Sequence, residues 1–201
     1  MPSRKAKNTH YLVLGGAVLV ALVATIVSLQ PRPAPIYWLI RGAALLGYLT
    51  IFLSILSAAY LVPLVRFFGR PFIKVHHVAS ITGLVAMLVH PIAIAVNAGS
   101  LSVFVPQFGS LRIFLTLAGR VVWPLVAIAA LAAWLRKPIG KNWRLIHFLN
   151  YVAFWLVTAH AILIGTNFQS WVMRGLATVL ALITVAVLAV KRLPKRKKAR
   201  R

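Results

Sequence analysis

Residues 75–96 of this 201-residue chain read VHHVASITGLVAMLVHPIAIAV and hold no acidic residue, lysine or arginine. A helix of this length extends about 33 Å, which exceeds the roughly 30 Å thickness of a bilayer's hydrocarbon core. The run also contains His76, His77 and His90, and ionisable side chains at membrane depth are functional candidates. We therefore predict a transmembrane helix that carries functional histidines.

Five further apolar runs have the same character. The chain is 61% hydrophobic and 11% charged, whereas soluble domains are about 45–50% apolar and about 25% charged. The predicted spans cover residues 11–29, 37–64, 75–96, 113–135, 145–164 and 171–190. The first span is longer than the apolar core of a signal peptide, so we expect it to be retained. The sequence predicts an all-α integral membrane protein. Its six-transmembrane-helix bundle covers 11–190, between basic segments at 1–10 and 191–201.

The basic residues predict the orientation, because lysine and arginine collect in cytoplasmic loops. With the N-terminus inside, eighteen of the 23 basic residues fall on the cytoplasmic side. The other five lie in the outer half and are Arg32, Arg41, Arg112, Arg120 and Arg174. We expect a multi-pass protein of the cell membrane with both termini cytoplasmic. Its basic tail would contact anionic membrane lipids or, as an alternative, an acidic protein partner.

The chain contains no Asp, Glu or Cys. Catalytic carboxylate pairs, Ser-His-Asp triads, carboxylate proton relays, thiolate metal sites and covalently attached haem are therefore excluded. The net charge of +23 alone would suggest nucleic-acid binding. Because the chain is so apolar, we attribute the positive charge to the orientation of a membrane protein and expect no nucleic-acid partner. We assign no catalytic residue. Histidine is the only strong metal ligand that remains.

Five of the six histidines lie on the third and fifth predicted spans, which both run from inside to outside. His76 and His90 are fourteen residues apart and His147 and His160 thirteen, so each separation is about 20 Å along a helix. The two helices thus offer an inner pair, His76 or His77 with His147, and an outer pair, His90 with His160. Such a pair lacks the three or four ligands of a zinc site but is the complete axial set of a b-type haem. The alternative is that each histidine only hydrogen-bonds within the bundle.

Helical rotation distinguishes the two candidates for the inner ligand. A step of fourteen residues returns to within about 40° of the same face, so His76 aligns with His90 better than His77 does. We choose His76 and keep His77 as the alternate. A step of thirteen lands about 140° away. The helix that carries His147 and His160 must therefore tilt, bend or contain a local irregularity.

Haem propionates need positively charged partners. Arg41, near the outer end of the second span, is placed to meet the outer propionates or, alternatively, to snorkel to the interface. Because the chain has no acidic side chain, the counter-ions of its cations must be lipid phosphates, propionates or partner carboxylates. The weaker outer candidates are Arg112, Arg120 and Arg174. The inner candidates are Arg70, Lys74 and Arg144.

The chain resembles the ferric-reductase-like transmembrane domain superfamily in three features: His76-His77-x12-His90, the segment GKNWRLIH at 140–147, and the following His160. The segment, the size and the six spans are most similar to the haem-binding membrane subunit of the bacterial methionine-sulfoxide reductase system. The resemblance implies that His76 and His147 ligate an inner haem b, and His90 and His160 an outer one. That subunit group tends to have basic residues in place of His76 and His77, whereas ferric reductases and NADPH oxidases have the inner ligand.

Ferric reductases and NADPH oxidases also carry a C-terminal flavin and nicotinamide domain, whereas this chain ends eleven residues after its last predicted span. We therefore expect a b-type cytochrome whose electrons come from a separate cytoplasmic-side flavoprotein or a membrane quinol. The expected acceptor is an extracytoplasmic reductase, ferric chelates or oxygen, and FMN or quinone is a further cofactor candidate. The alternatives are a stand-alone ferric reductase component and a haem-free membrane transporter or assembly protein.

Overall fold

The computed structural model describes residues 9–29, 34–69 and 71–192, and these ranges are helical apart from turns and connectors. The α-helices are α1 (Thr9–Ser28), α2 (Pro35–Ala59), α3 (Leu61–Phe68), α4 (Ile73–Ala98), α5 (Leu111–Thr116), α6 (Gly119–Trp134), α7 (Arg136–Ile139), α8 (Trp143–His147), α9 (Leu149–Ile164) and α10 (Trp171–Val187). Short 3₁₀ turns lie at Leu101–Phe104, Gly140–Asn142 and Thr166–Phe168, and a π-helical turn follows α10 at Leu188–Arg192. Residues 1–8 and 193–201, which hold most of the predicted basic ends, lie outside the described residues.

Four helical runs are long and apolar enough to cross a membrane, namely Pro35–Ala59, Ile73–Ala98, Arg136–Ile164 and Trp171–Val190. The helices α1 and α6 are also apolar but shorter. Large apolar side chains point outward along these helices, among them Ile81 and Leu182, as expected of surfaces that face lipid. The predicted all-α fold is thus confirmed for the described residues, and the four long helices indicate a multi-pass membrane protein. The count of six spans stays a prediction.

Helices α2, α4, α6 and α9 form a ring in which each helix packs on the next. The contact between α2 and α4 is the most extensive, and Gly83 of α4 permits it. A Cβ atom at this position would lie 2.8 Å from Oγ1 of Thr50 on α2. Helix α10 packs outside the ring on α9 and α2, and α1 packs on α2. The core contains the fully buried Leu45, Val122 and Phe154.

Three of the predicted spans are interrupted. The second ends at Ala59 and resumes at Leu61, because Pro63 has no N–H for the carbonyl of Ala59 and its ring crowds that carbonyl. The fourth is divided at 117–118, between α5 and α6. Both differ from the continuous spans that the sequence predicts. The fifth is interrupted at Phe148, and such a local irregularity is one of the three alternatives, with a tilt and a bend, that the sequence leaves open for this helix.

Candidate functional site

All four histidines chosen as ligands place ring atom Nδ1 against a main-chain carbonyl oxygen. The distances are 3.1 Å from His76 to Ser54, 2.9 Å from His90 to Ile40, 3.0 Å from His147 to Ala129 and 2.7 Å from His160 to Thr116. Because a carbonyl oxygen only accepts hydrogen bonds, each Nδ1 donates its hydrogen, and Nε2 is the unprotonated ring nitrogen that carries the lone pair. Metal-ligating histidines typically have this tautomer and this supporting bond.

The carbonyls come from helices that neighbour the histidines in the bundle. Helix α2 supplies the carbonyls of Ser54 and Ile40, which hold the two histidines of α4. Helices α6 and α5 supply Ala129 and Thr116, which hold the histidines of α8 and α9. Each imidazole is therefore oriented by packing between helices and not by its own helix.

The structure places His76 and His77 near His147 and places His90 near His160. His76 and His147 line one cleft, and His90 and His160 are close enough to interact electrostatically. The two levels are about 21 Å apart along the continuous α4. Within the described ranges, no group of three or more His, Cys, Asp or Glu side chains is placed to hold a metal ion together. Pairs of this kind suit an axially ligated haem better than zinc.

The irregularity at Phe148 slightly reduces the angular mismatch between His147 and His160. The amide of Phe148 bonds to the carbonyls of both Arg144 and Leu145, and the amide of Tyr151 bonds three residues back, to the carbonyl of Phe148. Backbone wound in this 3₁₀ manner rotates about 120° per residue, compared with about 100° in an α-helix. Each such residue recovers about 20° of the roughly 140° mismatch between the two histidines.

A cleft of about 590 Å³ lies at the inner pair. Apolar side chains such as Leu84 and Val126 make up much of its lining. His77 also lines the cleft, but it is exposed, and its ring centroid lies 5.9 Å from that of His76. The Nδ1 bond to α2 makes His76 the better-oriented ligand of the two.

The outer pair depends on the break between α5 and α6. At this break the amide of Arg120 bonds to the carbonyl of Leu117, and the carbonyl of Thr116 accepts from His160. Gly119, the first residue of α6, lies directly against the ring of His160. A Cβ atom at position 119 would lie over the face of this ring, 3.1 Å from Nε2 and 3.3 Å from Cε1, so glycine lets α6 pack closely on the imidazole.

Arg41 is the cation predicted for the outer level. Its Nε and Nη1 atoms are buried and have no hydrogen-bond partner in the part of the chain that the structure describes. It follows Ile40, whose carbonyl holds His90, and its own carbonyl accepts from Nδ2 of Asn167 at 3.3 Å. Burial of these atoms does not fit a side chain that snorkels to the interface. Because an unpaired buried charge is strongly unfavourable, the arrangement favours an anionic group next to the outer pair.

The weaker outer candidates have other roles. Arg120 donates from Nη1 to the carbonyl of Val105 at 3.0 Å, and Arg174 donates from Nε to that of Phe168 at 2.9 Å. These two side chains thus fasten connectors between helices. Arg112 is exposed.

The inner cleft is lined by cations other than those predicted. Arg136 and Lys137 belong to its lining; the sequence counted them only as charges of the cytoplasmic side. Lys74 is exposed, and Arg144 packs 5.7 Å above the ring of Trp143. Arg70 lies outside the described residues.

Three polar residues near the inner pair had not been singled out from the sequence. Ser57 places Oγ 3.2 Å from Nδ1 of His76, and Asn150 places Nδ2 3.4 Å from Nδ1 of His147. The hydroxyl of Tyr151, another residue of the cleft lining, is buried without a hydrogen-bond partner among the described residues. Asn150 could have been found from the sequence, because it follows His147 by three residues and so lies on the same helical face. Ser57 lies on another helix, and the sequence gives no sign that it lies near His76.

Comparison with known proteins adds no family to this description. No protein-family model, curated protein or solved structure matches the chain. The functional assignment therefore depends on the geometry of the chain's own residues.

Proposed function

We propose that the protein is a b-type cytochrome that carries electrons across the cell membrane. Two haems would be held by axial histidine pairs, His76 with His147 and His90 with His160. The observation that carries the proposal is the shared anchoring of four imidazoles, each with Nδ1 on a carbonyl of another helix and Nε2 left as a potential ligand. This anchoring of Nδ1 is the arrangement typical of metal-ligating histidines.

The surrounding residues fit haem. The inner cleft, at about 590 Å³, lies within the roughly 300–1,000 Å³ typical of ligand and cofactor sites. Arg136 and Lys137 at this cleft suit the propionates of an inner haem. At the outer level, the buried atoms of Arg41 need an anion that an acid-free chain cannot provide, and a propionate would meet that need.

The protein's own residues would orient the ligands and exclude water. The carbonyls of α2, α5 and α6 hold the imidazoles, and Gly119 lets α6 pack on the ring face of His160. Bound haem iron exchanges single electrons, and two levels about 21 Å apart would connect the membrane faces.

The arrangement in the membrane completes the proposal. Six spans, with α1 and α6 crossing alongside the four long helices, would place both termini and the inner pair at the cytoplasmic side. The exposed Arg136 and Lys137 then suit an acidic flavoprotein as donor, with a quinol as the other source of electrons. The acceptor would be an extracytoplasmic reductase. The histidine spacings and the segment at 140–147 support a place among the ferric-reductase-like membrane domains.

Spectroscopy of the purified protein tests this proposal. We expect a Soret band and two reduced α-band features, and either His90→Ala or His160→Ala should remove about half of the haem. His77→Ala is the matched control, because it removes a membrane histidine whose loss should leave both haems in place. Protein without a Soret band, or unchanged haem content in both ligand variants, would contradict the proposal.

A further inference from the structure

The cleft at the inner pair reaches the protein surface between α4 and α6. Three apolar residues of its lining on these two helices are largely exposed: Ile73 is 40% exposed, Ile81 62% and Trp134 80%. The lining residues that α2 and α9 supply are buried or half-buried. The mouth of the cleft, formed by Ile73, Ile81 and Trp134, therefore lies between α4 and α6.

The helix ring is packed least tightly on this side. Of the four contacts between neighbouring helices in the ring, the contact between α4 and α6 is the least extensive. Small side chains line the cleft beside it, namely Ser80 on α4 and Ala130 and Ala133 on α6. Because few apolar contacts hold these two helices together, they separate more readily than α2 and α4 do.

The mouth faces lipid when α4 crosses a membrane. Ile81 follows His76 by five residues, so it lies about 7.5 Å further along this long apolar helix. Trp134 ends α6, and tryptophan at the end of a membrane helix typically lies at the interface. Exposure of both side chains to water would be unfavourable, whereas lipid tails can cover them.

The positive charges of the cleft lie where α6 ends. Arg136 and Lys137 follow Trp134 closely, line the cleft and are exposed. Haem has an apolar macrocycle and two carboxylates on one edge. In a bilayer it keeps these carboxylates among the headgroups, because a charge is strongly unfavourable in hydrocarbon. The cleft has the same distribution of polarity, with an apolar mouth towards lipid and cations at one end.

We propose that haem enters and leaves the inner site sideways, from the bilayer through the mouth between α4 and α6. The apolar edge of the macrocycle would enter first, and the propionates would come to lie at Arg136 and Lys137. No charge then has to cross the hydrocarbon core. The inference rests on the proposed function, and it adds that the inner site exchanges its haem with the lipid phase.

Release of haem from the purified haem-loaded protein in lipid nanodiscs tests this route, because haem leaves by the path along which it enters. The chain contains no Cys, so Ile81→Cys provides a single site for a bulky maleimide, attached after the haems are bound. Transfer to apomyoglobin, followed at both α-band features, should become slower for the inner haem and stay unchanged for the outer haem. Labelled and unlabelled samples of the same variant are compared.

Leu182→Cys is the matched control. Leu182 is 61% exposed, about as much as Ile81, but it belongs to α10, which packs outside the ring. A label at this position should leave the release of both haems unchanged. A His160→Ala background, which should keep only the inner haem, identifies the α-band feature that changes.

Two further variants define the route. Trp134→Cys lies on the other side of the mouth, so a label there should also slow release of the inner haem. It replaces Ile81→Cys if that variant binds too little haem. A label at Lys137→Cys lies at the charged end of the cleft and should slow release less than a label at position 81.

Three results would overturn this route while the two-haem assignment stands. They are unchanged release in both labelled mouth variants, equal slowing of both haems, and slowing from position 137 as large as from position 81. Wild-type protein without haem would overturn both proposals.

Discussion

The inner pair, His76 and His147, lies at a cleft with cations and polar side chains around it. The outer pair, His90 and His160, meets main-chain carbonyls at Nδ1 and has a buried arginine nearby. The same ligand chemistry is thus set in two environments within one ring of helices. The difference teaches that a bundle without a carboxylate can still orient four imidazoles, because every residue of a neighbouring helix carries a carbonyl acceptor.

The comparison also separates two kinds of positive charge. Arg41 presents buried guanidinium atoms that have no hydrogen-bond partner among the described residues, whereas Arg136 and Lys137 are exposed at the inner cleft. A buried cation interacts strongly with an anion because water does not screen it, and an exposed cation interacts weakly. The outer site should therefore depend on its arginine far more than the inner site depends on its cations.

The largest effect is expected from Gly119→Val. The added Cβ atom would press on the face of the His160 ring, 3.1 Å from Nε2 and 3.3 Å from Cε1, and would displace the imidazole from its ligating position. We expect loss of the outer haem, about half of the total, with the inner haem retained and a single α-band feature. Gly175→Val is the matched control, because a Cβ atom there meets nothing within 4 Å. If both haems survive in Gly119→Val, the outer ligand geometry is wrong.

A smaller effect is expected from Arg41→Gln. Loss of a charge-assisted hydrogen bond should weaken the outer haem by about 1.5–3 kcal/mol, or roughly ten- to a hundredfold in affinity. The measurement is haem transfer to apomyoglobin, read separately at each α-band feature. Arg136→Gln should weaken the inner haem by only about 0–1 kcal/mol, and this effect should shrink as salt is added. Equal effects of the two variants would remove the distinction between buried and exposed cations.

The smallest effect is expected from Thr116→Val. His160 bonds to the main-chain carbonyl of this residue, and valine keeps both the carbonyl and the side-chain shape. Haem content and both midpoint potentials in a redox titration of the purified protein should therefore match the wild type. A shift of the outer potential would mean that the side chain at position 116, and not only its carbonyl, acts on His160.

Several features of the fold and the site were readable in the sequence. Long apolar runs predict membrane helices wherever the chain must satisfy its own backbone hydrogen bonds in lipid. The fourteen-residue step selected His76 over His77, and the thirteen-residue step called for a tilt, a bend or a local irregularity, of which the structure shows an irregularity at Phe148. Pro63 is also a sequence feature that predicts the break after Ala59.

The sequence by itself determined the helical class, the residue types available for chemistry and the depth of each histidine along its helix. These properties follow from composition and from the fixed rise of a helix, which are local. Only the tertiary structure decided which carbonyl holds each Nδ1, that Gly119 lies against His160, and that Arg136 and Lys137 line the inner cleft. Every residue has the same carbonyl, so its use depends on how neighbouring helices pack, and that packing joins residues as far apart in the chain as Ile40 and His90.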